Sequence, residues 1–343
     1  MEGSGFHGRH PDRPPTYVSV ARERAASTTA TALGAVAAVG AATFAWGSLV
    51  ERNRFTVRRE VLPILRPGAT PLRILQFADA HMAPWQLAKQ DWMRSLAELE
   101  PDLVINTGDN LGHVDGLEGI QRALEPFAGI PGAYVNGSND YFGPVFKSPL
   151  SYFSPNRKRE YKPANLDTDA LESFFQDDLG WISLNNAAGA LKIGNTRVEL
   201  FGVNDAHRRW DRLDLLPGEI DELRENEEAD DPSSVTLGVT HAPYRRVLDA
   251  FVTYGASAIF AGHTHGGQVR IPGLPALVTN CDIPRDQARG LSTWSHAGRS
   301  AWLNVSAGIG TSIYAPVRFA CPPEAVLVTL IPSEQTADDI GYS

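Results

Sequence analysis

A chain of 343 residues, 43% hydrophobic and 21% charged, carries enough apolar material for a large buried core, which argues against a disordered chain. Its formal net charge of −9 would repel a phosphate backbone over most of the surface, so no nucleic-acid partner is expected and an anionic substrate needs local cations or metal. The two cysteines, Cys281 and Cys321, lack metal-ligand spacing and are too few for a disulfide framework; two buried thiols are preferred over one bridge.

Residues 1–24 are polar and rich in Pro, Gly and Arg, and read as a disordered tail. Residues 25–50 contain no charged side chain, and a bilayer needs about 20 apolar residues at helical rise. Ala and Gly dominate the run, with Leu33, Val36, Val39, Phe44, Trp46, Leu49 and Val50 as its strongly apolar side chains. It reads as a single membrane anchor, with a cleaved export signal and a soluble surface helix as the alternatives; no A-x-A site closes it. Arginines on both sides (Arg22 and Arg24 before, Arg52 and Arg54 after) leave the orientation open. Residues 51–70 read as a linker, 71–332 as the main domain and 333–343 as a C-terminal tail.

Within the main domain, apolar runs alternate with helical spacing. Strands are predicted over 72–78, 102–106 and 132–136, with helices over 86–98 and 119–127 between them: a βαβαβ pattern that implies parallel strands and crossover helices. Further strands are predicted over 196–203, 235–240, 256–260, 301–305 and 325–331. Two irregular stretches interrupt the pattern, 146–165 with its prolines and the acidic run 219–231, the latter read as a solvated helix and linker.

An open α/β sheet places its crevice at the carboxyl ends of its strands, and here the polar residues gather at those ends. Asp79 and His81 follow the first strand, where an i, i+2 pair leaving a strand shares a face. Gly108-Asp109 follows the second, the loop Gly137-Ser138-Asn139-Asp140 the third, His241 a later one, and Gly262-His263-Thr264-His265 another. A lone histidine after a strand is usually structural; the ordered set, using four of nine histidines, is not expected by chance. His7 and His10 fall in the tail and His296 in a loop, leaving His113 and His207 near the set.

This set resembles the calcineurin-like metallophosphoesterase family, and the string GHTHGGQVRIP (262–272) together with SAGIGTSIYAPVRFACPPE (306–324) resembles its membrane- or wall-associated bacterial branch. The resemblance covers residues 73–330 and implies an α/β fold, a β-sandwich flanked by helices (α/β/β/α), with two divalent metals at the strand ends. By motif, one metal would be held by Asp79, His81, Asp109 and His265, the second by Asp109, His241, His263 and an amide oxygen of the third loop. Carboxylate and imidazole without thiolate suit manganese, iron or zinc, manganese being favoured. Such a pair supports hydrolysis of a phosphate ester, a phosphodiester by preference, through in-line attack of a metal-bridging hydroxide.

The third loop departs from the pattern. Where the family carries Gly-Asn-His-Asp, this chain has Gly-Ser-Asn-Asp, so Ser138 takes the ligand position and Asn139 the histidine position. An amide oxygen is the better ligand, which favours a small rearrangement that puts Asn139 on the metal. No titratable acid remains in the loop except Asp140, and an amide cannot deliver a proton. His207, held by Asp205, is the first candidate for the leaving-group acid and His113 the second; for each, a structural role is the alternative. The basic cluster of Arg157, Lys158, Arg159 and Lys162 reads as a solvated insertion or a site for an anionic head group. An anchor would favour lipid-linked or envelope phosphoesters as substrates. The alternative of a different class is a membrane-tethered metal-binding or regulatory protein with little turnover, its loop altered to GSND.

Overall fold

The computed structural model describes residues 17–144, 164–225 and 234–341. The basic cluster at 157–162, His7, His10, most of the irregular stretch 146–165 and the end of the acidic run lie outside those residues. The chain divides into two compact units, Met1–Trp46 and Gly47–Ser343. In the first, helix α1 (Tyr17–Ala45) starts inside the stretch expected as a disordered tail. Residues Thr31–Asn53 are long and apolar enough to cross a membrane, and only 6% of the most apolar window is buried. Leu33, Val36 and Val39 are exposed, which a core helix of a soluble protein would not permit at such density.

The second unit is built from β1 (Thr56–Leu65), β2 (Leu72–Phe77), β3 (Leu103–Asn106), β4 (Gly132–Tyr134), β5 (Ile182–Ser183) and β6 (Ala187–Ile193), then six more strands. These are β7 (Thr196–Val203), β8 (Ser234–Thr240), β9 (Ala258–Ala261), β10 (Gly290–His296), β11 (Arg299–Val305) and β12 (Glu324–Pro332). Helices α2 (Leu87–Ser95), α3 (Leu117–Leu124), α4 (Ser138–Tyr141), α5 (Thr168–Ser173), α6 (Leu216–Glu225) and α7 (Arg245–Thr253) connect them. One six-stranded sheet runs β1-β12-β2-β3-β4-β5 and the other β10-β11-β9-β8-β7-β6. The expected parallel βαβαβ order holds for β2, β3 and β4, while β12 enters antiparallel beside β2.

Alternation along the strands builds the layers. Ile74 of β2 and Val326 and Val328 of β12 face Val198, Leu200 and Val239 of the second sheet, forming the core between the sheets. Leu75 and Phe77 point the other way, onto Met93 of α2 and Ile120 of α3. On the far side Phe201 and Val203 meet Val247, Leu248 and Phe251 of α7 and Leu216 of α6. Both faces of the interior strands are therefore covered, and these strands are dominated by buried apolar residues. The architecture is the expected mixed α/β sandwich flanked by helices.

Strand β1 corrects the reading of 51–70 as a linker. It pairs in parallel with β12 from Thr56↔Glu324 onward at the rim of its sheet, where charged side chains and Pro63 are tolerated because one side of the ladder is free. Both cysteines are free thiols: Cys321 is buried and Cys281 only half-buried, a partial correction of the expected buried pair.

Leu200 is fully buried between the sheets, and Leu200→Ala should lower the unfolding free energy by about 2–5 kcal/mol in a denaturant titration. Lys192→Ala on exposed β6 should change it by less than about 0.5 kcal/mol.

Candidate metal centre

At the carboxyl ends of both sheets the backbone turns sharply. Asp79, His81, Asp109, His263 and His265 all have positive φ, between 41° and 68°. The i, i+2 alternation expected for Asp79 and His81 is thus not what brings them together; each sits in the left-handed region after its strand has ended. Loop-to-loop hydrogen bonds hold these turns: Asp79 N donates to Gly108 O at 2.9 Å, His81 N to Asp109 O at 3.0 Å and Met82 N to Asn110 O at 2.7 Å. Gly108 has φ +88°, and a Cβ there would lie 2.4 Å from Gly137 N, so the second and third loops can approach only because that side chain is missing.

Asp109 is the centre of the cluster. Its Oδ2 lies 3.6 Å from His81 Nε2 and 3.5 Å from His241 Nε2, all three groups being buried. His81 Nε2 faces His265 Nε2 at 3.1 Å, and His263 Nδ1 faces His241 Nε2 at 3.2 Å. His241 donates its Nδ1 proton to Thr107 O at 2.8 Å, which turns Nε2 into the site. Asp79 accepts the His263 amide on both oxygens, at 3.1 and 3.0 Å, and lies 3.7 Å from His265 Nε2. The ligand atoms of Asp79, His81 and His265 fall within 4.8 Å of one another, as do those of Asp79, Asp109 and His241.

These residues fit divalent cations. Two imidazoles on one cation at about 2.1 Å each, roughly at right angles, bring their nitrogens about 3 Å apart, which is the spacing of both facing pairs. Burial, with His241 as the next cause, pushes His263 down to about 3, and burial pushes His81 down to about 4, so both are neutral lone-pair donors at neutral pH. Burial raises the Asp79 carboxyl to about 7. Burial would lower His241, yet Asp109, Asp205 and Asp79 outweigh it and carry it up to about 9. Asp109 goes the other way: burial is overcome by His241, His81 and the hydrogen bonds from Asn139, which hold it well below the usual carboxylate range.

In the altered loop, Asp140 is the organiser. It accepts hydrogen bonds from Asp109 N (2.8 Å), Asn110 N (2.7 Å) and Gly137 N (2.9 Å), tying the second and third loops together. Asn139 donates its backbone N–H to Asp109 Oδ1 at 2.8 Å and its Nδ2 to Asp109 Oδ2 at 2.7 Å. A half-turn of that amide would present Oδ1 in place of Nδ2. Ser138 and Asn139 both line the cavity above the cluster.

His207 also lines this cavity, its ring 4.6 Å from that of His263. The expectation that Asp205 holds its ring is corrected: Asp205 takes the His207 backbone N–H at 2.8 Å, and the ring Nδ1 meets the Tyr244 hydroxyl at 2.9 Å. His113 lies outside the cavity lining, edge-on to Trp85, with Nδ1 accepting the Asp115 N–H at 3.1 Å. Two further residues escaped sequence reasoning. Arg208 stands on the cavity rim with its guanidinium over Phe142, and buried Arg318 donates to Ala307 O, Gly310 O and, at 3.4 Å, His265 Nδ1. Position within the quoted C-terminal string was the only signal for Arg318.

Residues 72–267 match the family model for calcineurin-like phosphoesterase. The Bacillus subtilis (strain 168) protein YpbG is 27% identical over 270 residues, covering 77% of this chain and 82% of its own length. YkuE of the same organism, an uncharacterized metallophosphoesterase, is 22% identical over 310 residues, 87% of this chain and 92% of its own. Among solved structures, a dimetal phosphatase from Danio rerio superposes with a TM-score of 0.37 at 11% identity, covering 69% of this chain and 88% of that one.

Cation uptake must expel the protons that Asp79 and His241 hold in the metal-free protein. Affinity should therefore be weak below about pH 7, rise through about 9 and then level, with proton release measurable by calorimetry in buffers of different ionisation enthalpy. Asp140→Asn replaces a three-bond acceptor by one with a single oxygen, and should cost about 1–3 kcal/mol for each amide left unpaired and lower the bound-metal count in elemental analysis.

Proposed function

The chain belongs to the calcineurin-like phosphoesterase family, and on that premise we propose that it is a metal-dependent hydrolase of phosphate esters, phosphodiesters in preference to monoesters. Asp79, His81, Asp109 and His265 would hold one divalent cation, and Asp109, His241, His263 and Asn139 a second. The observation that carries this reading is the pair of facing imidazole couples at 3.1 and 3.2 Å, arranged about one carboxylate. When bound, manganese, iron or zinc would lower the pKa of a water and neutralise charge on the phosphoryl oxygens.

The chain's own residues then divide the remaining work. Arg208, on the rim, can pair with a non-reacting phosphate oxygen, supplying positive charge that the altered loop no longer offers. With its side-chain amide turned to a cation, Asn139 would still donate its backbone N–H to Asp109 Oδ1 at 2.8 Å, which with His241 and His81 favours the ionised carboxylate. His207, which lines the cavity beside His263, would protonate the leaving oxygen. Its Nδ1 proton goes to the Tyr244 hydroxyl, which in turn donates to Asn280 O at 3.2 Å, so Nε2 is the atom that exchanges a proton with the ester. Burial lowers the His207 pKa, with Asp205 opposing, and its acid form is depleted as pH rises through a value below the usual histidine range. In this reading one loop, with His207 and Arg208 both lining the cavity, takes over the part of the imidazole missing from the third.

With Mn²⁺ added, the full-length protein in detergent should hydrolyse bis(p-nitrophenyl) phosphate, and Asp109→Ala should bring the rate to background. Metal binding without turnover above that control would instead favour the regulatory alternative. His207→Asn should slow esters with alkyl leaving groups by about 10²-fold, while costing p-nitrophenyl esters only a few-fold, because a good leaving group needs no proton. Equal losses on both would remove His207 as the acid.

A further inference from the structure

One loop of the second unit is covered by nothing among the described residues. In residues 269–278 the side chains of Val269, Ile271, Leu274, Leu277 and Val278 are 41–60% exposed. There is no acidic residue between 269 and 281, although the chain as a whole carries −9. Scattered single apolar residues are ordinary, but five in one short loop mark a contact surface.

What the loop is attached to identifies the occupant. Val269 bridges Phe319, with Arg270 N donating to Phe319 O at 2.9 Å and Phe319 N to Gln268 O at 3.0 Å. The next residue back, Arg318, donates its N–H to Gly47 O at 3.1 Å, and Cys321 N donates to Glu51 Oε1 at 2.7 Å. Gly47 to Asn53 is the carboxyl end of the membrane-span candidate, and Leu49 is 70% exposed there. A bilayer reached at Val50 would therefore meet the segment 318–321, whose Phe319 pairs with residues 268–270. Exposed Arg54 and half-buried Arg270 lie where anionic head groups would then stand. The same two segments also build the mouth of the metal cavity: Gln268, Ser312, Tyr314 and Ala315 line it, and Gln268 Nε2 donates to Ala315 O at 2.8 Å.

We propose that residues 269–278 are a second membrane contact, inserting their apolar side chains at the head-group boundary, and that the metal cavity consequently opens onto lipid head groups and takes a phosphoester of a bilayer lipid. The substrate half of this rests on the hydrolase reading above; the contact half does not. A groove beside the cavity is consistent with the lipid assignment. It shares Asn280 with the metal cavity and runs along Tyr244, Leu277, Val278 and Ile283, with Asp282 and Arg285 also in its wall, so that an apolar strip borders the polar centre.

The test uses the full chain reconstituted in vesicles of equal parts phosphatidylethanolamine and phosphatidylglycerol. Spin labels at Leu274→Cys and Leu277→Cys, in a Cys281→Ser background, should collide with oxygen in preference to a water-soluble nickel chelate. A label at exposed Lys192→Cys should show the reverse. Chelate-preferring collisions at both loop positions would overturn the contact, including the possibility that a soluble protein partner covers the loop instead. For the substrate, the double variant Ile271→Asp/Leu274→Asp, at two exposed positions outside both the cavity and the groove, should lose at least about tenfold on a phosphatidyl p-nitrophenyl ester carried in the vesicles and stay within about twofold on soluble bis(p-nitrophenyl) phosphate. Equal rates of the parent and the variant on the vesicle-borne ester would refute the lipid assignment. If the parent hydrolyses neither ester, the hydrolase reading fails, while the collision data still decide the contact.

Discussion

The Asp109 carboxylate is the constraint to which the rest of the centre answers. It is buried, and a buried charge is tolerated only when it is paired and hydrogen-bonded. Here the pairing is complete: two imidazoles within 3.6 Å, two N–H donors from Asn139, and a backbone amide clamped by Asp140. The partners come from three strand ends, those of β2, β4 and β8, and His241 alone comes from the opposite sheet, so separating the sheets would strip the charge of that imidazole. The departure in the third loop is legible in these terms. Asn139 contributes two hydrogen bonds to the carboxylate, and Asp140 anchors the loop, so the loop's structural work is done without a histidine.

Convergence has a conformational cost. Five ligand candidates hold positive φ, and a non-glycine residue there costs on the order of 1–3 kcal/mol. Strain of that size persists only where the surroundings over-determine it. The three apolar layers do so, because the strands that deliver these residues are buried on both faces and cannot shift to relax the turns. The rigidity of the core is therefore what keeps four histidines and two carboxylates aimed at common points instead of relaxing into separate surface residues.

What the sequence made readable follows the same division between interior and edge. Eight strands were predicted, and they are the eight interior strands; β1, β5, β6 and β10, which were not, are the four sheet edges. Interior strands bury both faces and print a mostly apolar run, whereas an edge strand such as β1, with Arg58, Arg59, Glu60 and Pro63, looks like a linker. The ligand candidates were legible because each follows an interior strand directly. Their backbone conformation was not, since alternation along a strand gave the right neighbours for the wrong reason. The partner of His207 was misassigned because sequence proximity pointed to Asp205, while the ring contact is made by Tyr244, far along the chain. Arg318 was invisible for a similar cause: its role is set by carbonyls that only the fold assembles.

That arginine links location to chemistry. Fully buried, it donates through its guanidinium to Ala307 O, Gly308 O and Gly310 O and approaches His265 Nδ1, while its backbone N–H holds Gly47 O. Gly47 itself has no room for a side chain, since a Cβ would come within 2.6 Å of Arg318 O. The carboxyl end of the span candidate and a metal-ligand candidate are thus fixed by one residue, and Glu51, bonded to Cys321 N, adds a second tie three residues on. Any force that moves the end of the span relative to the sheets must act on the segment that carries Arg318, and through it on the orientation of His265. The segment at residues 318–321 thus ties residues Gly47 and Glu51 to the loop that carries His265, by bonds at both of its ends.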